Sequence, residues 1–299
     1  MKKIVIALGG NAILSRQDKL EAHIQIKNIK NAVKAIAEIA KKNQVVICHG
    51  NGPQVGLLAI KDEQYTSVSP YPLDSLVANT QGMLGYWIQR ELKNFLPQKE
   101  ILTILTQVVV DSKDPAYKNP TKFIGPQYSL NKKKELQNRG WKLGIDNGKI
   151  RRVVASPKPK DIVEIQSISS LLNHKNIIIC CGGGGIPVIQ ENNILSGIDC
   201  VIDKDHTSSL IAQLINADFL LILTDVKGIY LNWGTDKQKI IKNISIKNLM
   251  KIDLNKGSMY PKAKACYNYI KNTKKYAGIG HLKDAFDIFL GKKGTQIHI

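Results

Sequence analysis

Two lysines in polar turns have the residue type and the setting for chemistry on phosphate groups. Lys204 lies in Ile202-Asp-Lys-Asp-His206, which follows a short apolar stretch and leads into a helix-like segment. At the end of a strand, a lysine presents a compact charge that can contact a phosphoryl group while it is transferred. Lys262 is predicted in the first turn of a helix, where its charge opposes the helix dipole unless an anion lies nearby. Lys262 therefore favours an anion site, whereas 202–206 also fits a solvated turn with an ordinary N-cap.

Asp205, Lys122 and His49 are further candidates for that chemistry. Asp205 stands at the predicted helix start, where its carboxylate could cap the helix, orient the lysines or meet Mg²⁺ through water. Lys122 lies between prolines in the segment 119–126 and could belong to a lid, although a surface lysine is the default in so basic a chain. His49 could act as a base, but a hydrogen-bonded residue at a strand end is the preferred interpretation.

Glycine-bearing or polar turns follow four short apolar runs, and together they suggest a binding site for phosphates. The four segments are Ile4–Asn11, Val45–Pro53, Ile177–Gly185 and Leu220–Gly228. Uniformly apolar runs fit strands buried on both faces of a parallel sheet, whose carboxyl ends border the ligand crevice. Glycine there lets backbone N–H groups approach an anion, although glycine also allows tight strand-to-helix turns. Neither G-x-x-x-x-G-K-[ST] nor a G-x-G-x-x-G after a strand occurs, so the phosphate site must be built differently.

Strand and helix patterns alternate along the chain and predict the elements that position these residues. Apolar residues at helical spacing mark one helix near 26–40 and a second after Asp74, which could cap it; they are Ile26, Ile29, Val33, Ile36 and Ala40, then Leu84, Ile88, Leu92 and Phe95. Ile101–Val110 is predicted as one further buried strand, and a later helix is predicted to begin at Pro261. This alternation predicts an α/β fold with a mainly parallel sheet.

The alternation is interrupted between about Asp114 and Pro159. Proline, lysine and glycine dominate this segment, and it shows no long apolar stripe. Since it is too long for an ordinary connection, it could be an insertion subdomain, a lid over the site or a disordered loop. The chain has no internal repeats or low-complexity linkers, so a two-lobed single globule is expected rather than separable domains.

The composition is that of a globular protein with a strongly basic surface. The 299 residues include 43 Lys and Arg against 24 Asp and Glu, for a net charge of +19. Such a charge permits binding to nucleic acid, but lysine is mixed with asparagine and isoleucine in segments such as Ile240–Asn248, so the excess is interpreted as compositional. No apolar run could span a bilayer and no signal peptide is recognised, so we expect a cytoplasmic protein with no membrane and no specific nucleic-acid partner.

The five cysteines are odd in number and show no zinc-site spacing, which indicates reduced thiols. Cys180 and Cys181 cannot both face a crevice from one strand, and they are interpreted as core packing.

The turns and the lysine segments together resemble one family, the carbamate kinases of the amino-acid-kinase superfamily. The similar segments follow the family's order and cover nearly the whole chain. They are Ala7–Ala12, His49–Gly56, Pro72–Asp74, Thr80–Tyr86, Asn119–Lys122, Gly125–Pro126, Arg151–Val154, Ser156–Pro159, Gly182–Val188, Val201–Asp205, Leu223–Val226, Gly257–Met259 and Pro261–Lys262. The resemblance is specific because Asn-Pro-Thr-Lys and Val-Ile-Asp-Lys-Asp distinguish this family from other amino-acid kinases.

This resemblance implies an open three-layer αβα sandwich with a mainly parallel central sheet, two lobes and a small inserted subdomain at about 114–159. Residues 1–299 would form one amino-acid-kinase domain, with a carbamoyl-binding lobe at about 1–195 and a nucleotide-binding lobe at about 196–299. The implied reaction is reversible, Mg²⁺-dependent transfer of a phosphoryl group from carbamoyl phosphate to ADP, giving ATP and carbamate. In the family this is the ATP-forming last step of arginine fermentation by the deiminase route, and a homodimer is expected.

The resemblance also assigns roles to residues. Lys204 and Lys262 would contact the β-phosphate and the transferring group, Asp205 would orient them and meet Mg²⁺ only through water, and Lys122 would cover the phosphoryl group. The substrate-binding residues would be Gly9, Gly10, Asn11, Gly50, Asn51, Gly52, Gly182 and Gly183. The nucleotide-binding residues would be Lys204, Thr224, Asp225, Met259 and Lys262.

Two departures from the family pattern lie near the expected nucleotide site. Tyr260 stands where glycine is usual, and Lys227 replaces a usual acidic residue.

Three other interpretations of the function stay open. Another acyl-phosphate-forming amino-acid kinase would be distinguished by substrate profiling, a nucleic-acid-binding regulator by steep salt dependence, and an inactive scaffold by a site that Tyr260 blocks.

Overall fold

Helices and strands alternate through most of the chain, as the apolar pattern predicts. The computed structural model describes residues 1–14, 18–254 and 258–299. The helices in these ranges are α1 (Gly10–Ile13), α2 (Ala22–Ala40), α3 (Gly52–Gln64), α4 (Leu73–Phe95), α5 (Lys133–Asn138), α6 (Ile165–Asn173), α7 (Lys204–Leu214), α8 (Ile246–Leu249), α9 (Met259–Thr273) and α10 (Ala285–Phe289). The strands there are β1 (Lys3–Leu8), β2 (Gln44–His49), β3 (Ile101–Thr103), β4 (Gln107–Val109), β5 (Lys122–Tyr128), β6 (Leu143–Asp146), β7 (Lys149–Val154), β8 (Asp161–Ile162), β9 (Ile177–Ile179), β10 (Ile186–Glu191), β11 (Ile194–Gly197), β12 (Phe219–Thr224), β13 (Tyr230–Leu231), β14 (Lys239–Ile240), β15 (Asn243–Ser245), β16 (Tyr276–His281) and β17 (Thr295–His298).

The largest sheet has eight strands in the order β15-β17-β16-β12-β1-β2-β9-β3. Its neighbouring strands are parallel, except that β16 and β17 are antiparallel. In β1, Ile4 and Ile6 enter one apolar core while Val5 and Ala7 enter the other, because successive side chains of a strand point to opposite faces. Burial on both faces explains why these strands are uniformly apolar in sequence.

Helices cover both faces of this sheet and complete three layers. On one face, α2, α4 and α10 contribute apolar side chains such as Ile29, Leu84 and Ile288 to the core. On the other face, α7 and α9 contribute Ile211 and Ile270. The predicted open αβα sandwich with a mainly parallel sheet is therefore confirmed. In the described ranges, no helix has the length and apolar character needed to cross a membrane.

Residues 122–154 form a small antiparallel unit beside this sandwich. Its strands have the order β5-β7-β6, and Leu136 of α5 forms an apolar cluster with Trp141 and Ile150. The unit lies against α3, where a side chain at Gly56 would collide with the backbone of Gly125. This part of the predicted insertion thus has secondary structure, which rules out a loop disordered throughout.

The predicted strand Ile101–Val110 is instead two strands that belong to different sheets. β3 lies at one edge of the central sheet, whereas β4 belongs to a four-stranded sheet of order β11-β10-β4-β8. Between them, the N–H of Thr106 donates a 2.6 Å hydrogen bond to the side chain of Gln81 on α4. An apolar pattern does not reveal this change of sheet, because β3 and β4 each have one buried and two half-buried residues in one continuous, mostly apolar run.

Two helices begin before the residues that predicted their starts. α9 begins at Met259 rather than at Pro261, and α4 begins at Leu73. Asp74 therefore lies inside the first turn and does not cap α4; its carboxylate accepts a 2.8 Å hydrogen bond from the N–H of Ser75. Proline tolerates several positions in a first turn, so it marks the region of a helix start but not the first residue.

Candidate active site

A cleft of about 1130 Å³ opens at the carboxyl ends of β1, β2 and β12. These strands are parallel neighbours in the sheet, so the turns that follow them lie side by side. The predicted site residues that line the cleft are Gly9, Gly10, Gly50, Asn51, Gly52, Lys122, Gly183, Lys204, Asp205, Thr224, Asp225 and Lys262. The structure thus brings together residues that are far apart in sequence, as the pattern of strand ends predicts.

Two predicted site residues lie elsewhere, and one is only partly described. Gly182 is buried behind the cleft, against His49 and Gln81. Met259 packs against the apolar core at the start of α9. The backbone of Asn11 lies in α1, but its side chain lies outside the described residues, as does Gly257.

Asp205 lies between two lysine ammonium groups near the base of the cleft. Its Oδ1 accepts a hydrogen bond from Nζ of Lys204, and its Oδ2 accepts one from Nζ of Lys262 at 3.0 Å. Lys204 and Asp205 begin α7, whereas Lys262 comes from the first turns of α9. The three side chains are between 4% and 15% exposed, so this cluster is held within the protein.

Burial and mutual attraction set the charges of this cluster. Burial alone would raise the pKa of Asp205, but the neighbouring Lys204 and Lys262 outweigh it, so the pKa lies below its ordinary value. Burial lowers the pKa of Lys204 from its ordinary value, and Asp205 offsets part of that effect. Burial alone would lower the pKa of Lys262, but attraction to Asp205 outweighs it, so the pKa lies above its ordinary value. One carboxylate thus stabilises two adjacent cations that would otherwise repel each other.

Asp203 joins the inserted unit to α7 and is not among the site residues predicted from the sequence. Its Oδ2 accepts a 2.5 Å hydrogen bond from Nζ of Lys122, the first residue of β5. Its Oδ1 accepts a 2.9 Å bond from the N–H of Asp205, so Asp203 and not Asp205 caps α7. Burial acts to raise the pKa of Asp203, but Lys122 and further cations lower it well below its usual range. The position of Asp203 just before the helix could have identified it as a cap from the sequence. Its contact with Lys122 could not have been identified, because the two residues are 81 positions apart.

The glycine turns let backbone segments approach one another and the cleft. A Cβ at Gly9 would lie 2.8 Å from the carbonyl oxygen of Leu223, at the end of β12. A Cβ at Gly50 would lie 3.2 Å from the N of Gly10 and 3.4 Å from Cδ of Lys204. A Cβ at Gly10 would meet nothing within 4 Å, so the space beside this residue is open. The turns after β1 and β2 therefore bring the backbone of Gly10 and Gly50 next to Lys204.

Neutral polar side chains support the glycine turn that follows β9. Asn51 lies against Gly183, and its Nδ2 donates a 2.8 Å hydrogen bond to Oγ1 of Thr80. His49 lies against Gly182, and burial lowers its pKa to about 4. Its Nδ1 lies 3.2 Å from the carbonyl oxygen of Gly50. His49 is therefore a neutral residue at a strand end, as preferred from the sequence, and it does not line the cleft.

The departure at Tyr260 leaves the cleft open. Tyr260 lies inside α9, its φ is not positive, and its side chain is 41% exposed. Neither Tyr260 nor Lys227 lines the cleft, whereas Ser258 and Pro261 do. The structure thus gives no support to a scaffold whose site Tyr260 blocks.

At the end of β12, Oγ1 of Thr224 donates a 3.0 Å hydrogen bond to Oδ1 of Asp225.

This arrangement is suited to holding two anions close together. Lys204, Lys262 and Lys122 place three cations around one cleft, and the adjoining turns contribute the glycines Gly9, Gly10, Gly50 and Gly52 to its lining. Such a site can neutralise charge on a phosphoryl group and exclude bulky groups from its immediate surroundings.

Comparison with known proteins gives one consistent family. The model of the amino acid kinase family matches residues 2–280. The chain is 47% identical over 298 residues to a carbamate kinase of Haemophilus influenzae, covering 99% of this chain and 96% of that protein. It is 43% identical over 310 residues to a carbamate kinase of Pyrococcus horikoshii, covering 99% of each.

Solved structures agree with these relatives. Carbamate kinase from Giardia lamblia bound to AMP-PNP superimposes with a TM-score of 0.90 at 37% identity, covering 99% of this chain and 98% of that chain. An N-acetylglutamate synthase from Neisseria gonorrhoeae reaches a TM-score of 0.62 at 11% identity over 99% of this chain and 61% of that chain, which indicates a shared fold alone.

Proposed function

Because this chain belongs to the carbamate kinases of the amino acid kinase family and is a phosphotransferase, we propose that it transfers a phosphoryl group reversibly between carbamoyl phosphate and ADP, with carbamate and ATP as the other pair. The observation that carries this proposal is the placement of Asp205 between Lys204 and Lys262 beside the glycine turns. Carbamate is small and anionic, and the open space beside Gly10 suits a small anion.

The reaction needs positioning and charge neutralisation more than proton transfer. Carbamate is already an anion, so it can attack a phosphoryl group without a general base. His49, held neutral by burial and outside the cleft lining, fits a reaction that uses no such base. The enzyme's task is then to bring two anions together in line and to offset their repulsion.

The lysines would divide this task. Lys204 and Lys262 would contact the β-phosphate and the transferring group, and Asp205 would keep both ammonium groups in place before substrates bind. Lys122 would cover the phosphoryl group from the inserted unit. When a phosphoryl group enters, Lys122 can exchange its contact with Asp203 for one with the substrate, because its side chain is 29% exposed at the cleft.

Backbone groups would hold the substrate ends. The N–H groups of Gly9, Gly10, Asn11, Gly50, Asn51 and Gly52 would surround the phosphoryl and carbamate oxygens, with Gly183 at the carbamoyl end and Gly182 supporting it from behind. Thr224 and Asp225 would lie along the nucleotide, with Met259 as a supporting residue of the same region. In this proposal, residues of about 1–195 bind the carbamoyl group and residues of about 196–299 bind the nucleotide.

Mg²⁺ fits this site only as an ion that arrives with the nucleotide. Both oxygens of Asp205 are occupied by ammonium groups, so this carboxylate is not placed to be a direct ligand. It is placed to meet an ion through the water shell that Mg²⁺ retains in such sites. Bound with the phosphates, Mg²⁺ would neutralise part of their charge.

Production of ATP tests the proposal. Purified protein is given carbamoyl phosphate and ADP, with and without Mg²⁺, and ATP is followed in a coupled assay. We expect ATP formation that requires the divalent ion. Faster phosphorylation of acetylglutamate, aspartate or UMP than of carbamate would instead place the chain among the other acyl-phosphate-forming or nucleotide kinases of the superfamily.

The cellular setting is part of the same proposal. We propose that the enzyme works toward ATP as the last step of arginine fermentation by the deiminase route, as a homodimer without a specific nucleic-acid or membrane partner. A cytoplasmic location is supported by its cysteines, all five of which are free thiols, as in a reducing compartment.

A further inference from the structure

Three cysteines behind the candidate active site bring their thiols together. Cys48 lies in β2, and Cys180 and Cys181 follow β9 directly. Their Sγ atoms all lie within 4.8 Å of one another, and all three residues are buried. The cluster adjoins the Gly182–Gly184 turn, of which Gly183 lines the cleft.

An unfavourable backbone conformation places the third thiol. Consecutive residues of an extended chain point to opposite sides, so Cys180 and Cys181 would ordinarily be separated. Cys181 has a φ of +53°, in the left-handed region that disfavours any residue with a Cβ. Its N–H donates a 3.1 Å hydrogen bond to Oγ1 of Thr106, which holds this conformation. Glycine occupies the next four positions and would adopt such a φ without strain, so the cysteine at 181 points to a use for its side chain.

The surroundings of the thiols favour an occupant that leaves no net charge. Val46, Ile178 and Ile202 belong to the same apolar cluster as the three cysteines. His49 is kept neutral by burial, and the charge of Lys204 is already paired with Asp205. Since an uncompensated charge in an apolar interior is costly, the charge of the bound element must match that of the thiolates.

We propose that Cys48, Cys180 and Cys181 bind one atom of a trivalent thiophilic element, of which arsenic(III) is the best match. Arsenous acid, As(OH)₃, is small and neutral. Each As–O bond is replaced by an As–S bond, and each thiol proton leaves with the released hydroxide as water. Three thiols thus give a neutral As(S–Cys)₃ group and three waters, with no change in oxidation state.

Divalent and monovalent soft ions match the cluster less well. Thiolate ligands also select Zn²⁺ and Cu⁺. Three thiolates around Zn²⁺ would leave one net negative charge in the core, and Zn²⁺ also requires a fourth ligand in a structural site. Around Cu⁺ they would leave two negative charges. Charge balance therefore separates the trivalent element from both metals.

Occupancy of the cluster should disturb the cleft, because two of its neighbours are joined to residues that line the cleft. Cys181 directly precedes Gly182 and Gly183. The Ser208 hydroxyl lies beside the Cys48 thiol and donates a 2.7 Å hydrogen bond to the carbonyl oxygen of Lys204. Drawing the thiols onto one atom would shift both segments and lower turnover. This effect on turnover rests on the proposed function, whereas the binding itself does not.

Binding of arsenite to the folded protein tests the inference. The full chain is incubated with sodium arsenite at 25 °C for one day and desalted, and bound arsenic is measured by mass spectrometry. Arsenic K-edge X-ray absorption then identifies the bonded atoms. We expect one arsenic atom per chain, bonded to three sulfur atoms and to no oxygen. No retained arsenic, or arsenic bonded to fewer than three sulfur atoms, would overturn the proposal.

Variants assign the site without relying on activity. Cys181→Gly removes one thiol at a φ that suits glycine, and the backbone strain that it relieves offsets part of the packing that it loses. The variant should fold, while its affinity for arsenite falls by about 10²-fold or more. Cys266→Ala removes a buried thiol in α9 that is not in the group of three, and it should bind arsenite as the wild type does. Unchanged binding by Cys181→Gly, or loss of binding in folded Cys266→Ala, would show that the cluster is not the site.

Discussion

Lys262 and Lys122 both reach the cleft, but the protein holds them in different ways. Lys262 shares with Lys204 a carboxylate that is only 4% exposed, and both lysines come from helices of the central sandwich. Lys122 comes from the inserted antiparallel unit, is 29% exposed, and meets Asp203, which is 16% exposed. The first arrangement fixes its charges before any ligand arrives, whereas the second can be exchanged. A buried cluster suits binding of the phosphates, and a partly exposed contact suits closure over them.

The largest effect should come from the fixed lysines. Lys204→Ala or Lys262→Ala should lower kcat by roughly 10²–10³, the range for loss of one preorganised donor to a transition state. Steady-state assay of ATP formation measures this effect, with thermal unfolding as a check on folding. Lys271→Ala, at an exposed position of the same helix α9, is the matched control and should keep wild-type turnover. Wild-type turnover in either cleft variant would remove that lysine from the mechanism.

Lys122, the partly exposed lysine, should affect the same kinetic constant by a smaller factor. Lys122→Ala should lower kcat by roughly 10–10², because a residue that closes over bound substrates acts mainly after they bind. The KM for ADP should change little. An equal loss of ADP affinity with unchanged kcat would place Lys122 at the nucleotide and would remove the difference between the two arrangements.

Asp203 has two roles, as the cap of α7 and as the charged partner of Lys122, and the variant Asp203→Asn separates them. We expect this variant to show a smaller effect, seen in the stability of the fold. Asparagine caps helices about as well as aspartate, so α7 keeps its cap while Lys122 loses its charged partner. The pKa of Asp203 is depressed by folding, so the charge stabilises the fold above the unfolded value of about 3.9 and ceases to do so as the pH falls through the folded value. We expect wild type to be more stable than Asp203→Asn at pH 7, with the difference shrinking below about pH 4. Urea unfolding at several pH values measures it, and a difference independent of pH would contradict the charged contact.

The features of the fold and the site that depend on local sequence pattern, or on where a strand ends, could be predicted from the sequence. Short apolar runs followed by glycine placed Gly9, Gly50 and Gly183 on one cleft, because parallel strands carry their carboxyl ends to one edge of the sheet. Lys262 could be selected because a cation in the first turn of a helix is unfavourable without an anion. Lys204 could be selected as a lysine at a strand end, but its role came from the family resemblance. The alternation of strands and helices likewise predicted the three layers.

What the sequence did not reveal depends on contacts between distant segments. The chain changes sheets near Thr106, whose N–H donates a hydrogen bond to Gln81, and this contact leaves no mark on the apolar pattern. The partnership of Asp203 with Lys122 requires the inserted unit to fold against α7. The meeting of Cys181 with Cys48 requires a left-handed backbone at a residue that sequence patterns assign to a strand.

The central claim is that Lys204, Lys262 and Asp205 act as one fixed unit and Lys122 as a separate, movable group. A double-mutant cycle on kcat tests it most directly, with Lys204→Ala combined in turn with Lys262→Ala and with Lys122→Ala. Residues that act as a unit give strongly non-additive losses. We predict that the Lys204/Lys262 double variant loses little more than either single variant, whereas the Lys204/Lys122 losses multiply. Multiplying losses for Lys204 with Lys262, or a Lys204/Lys122 double variant no slower than Lys204→Ala alone, would contradict the claim.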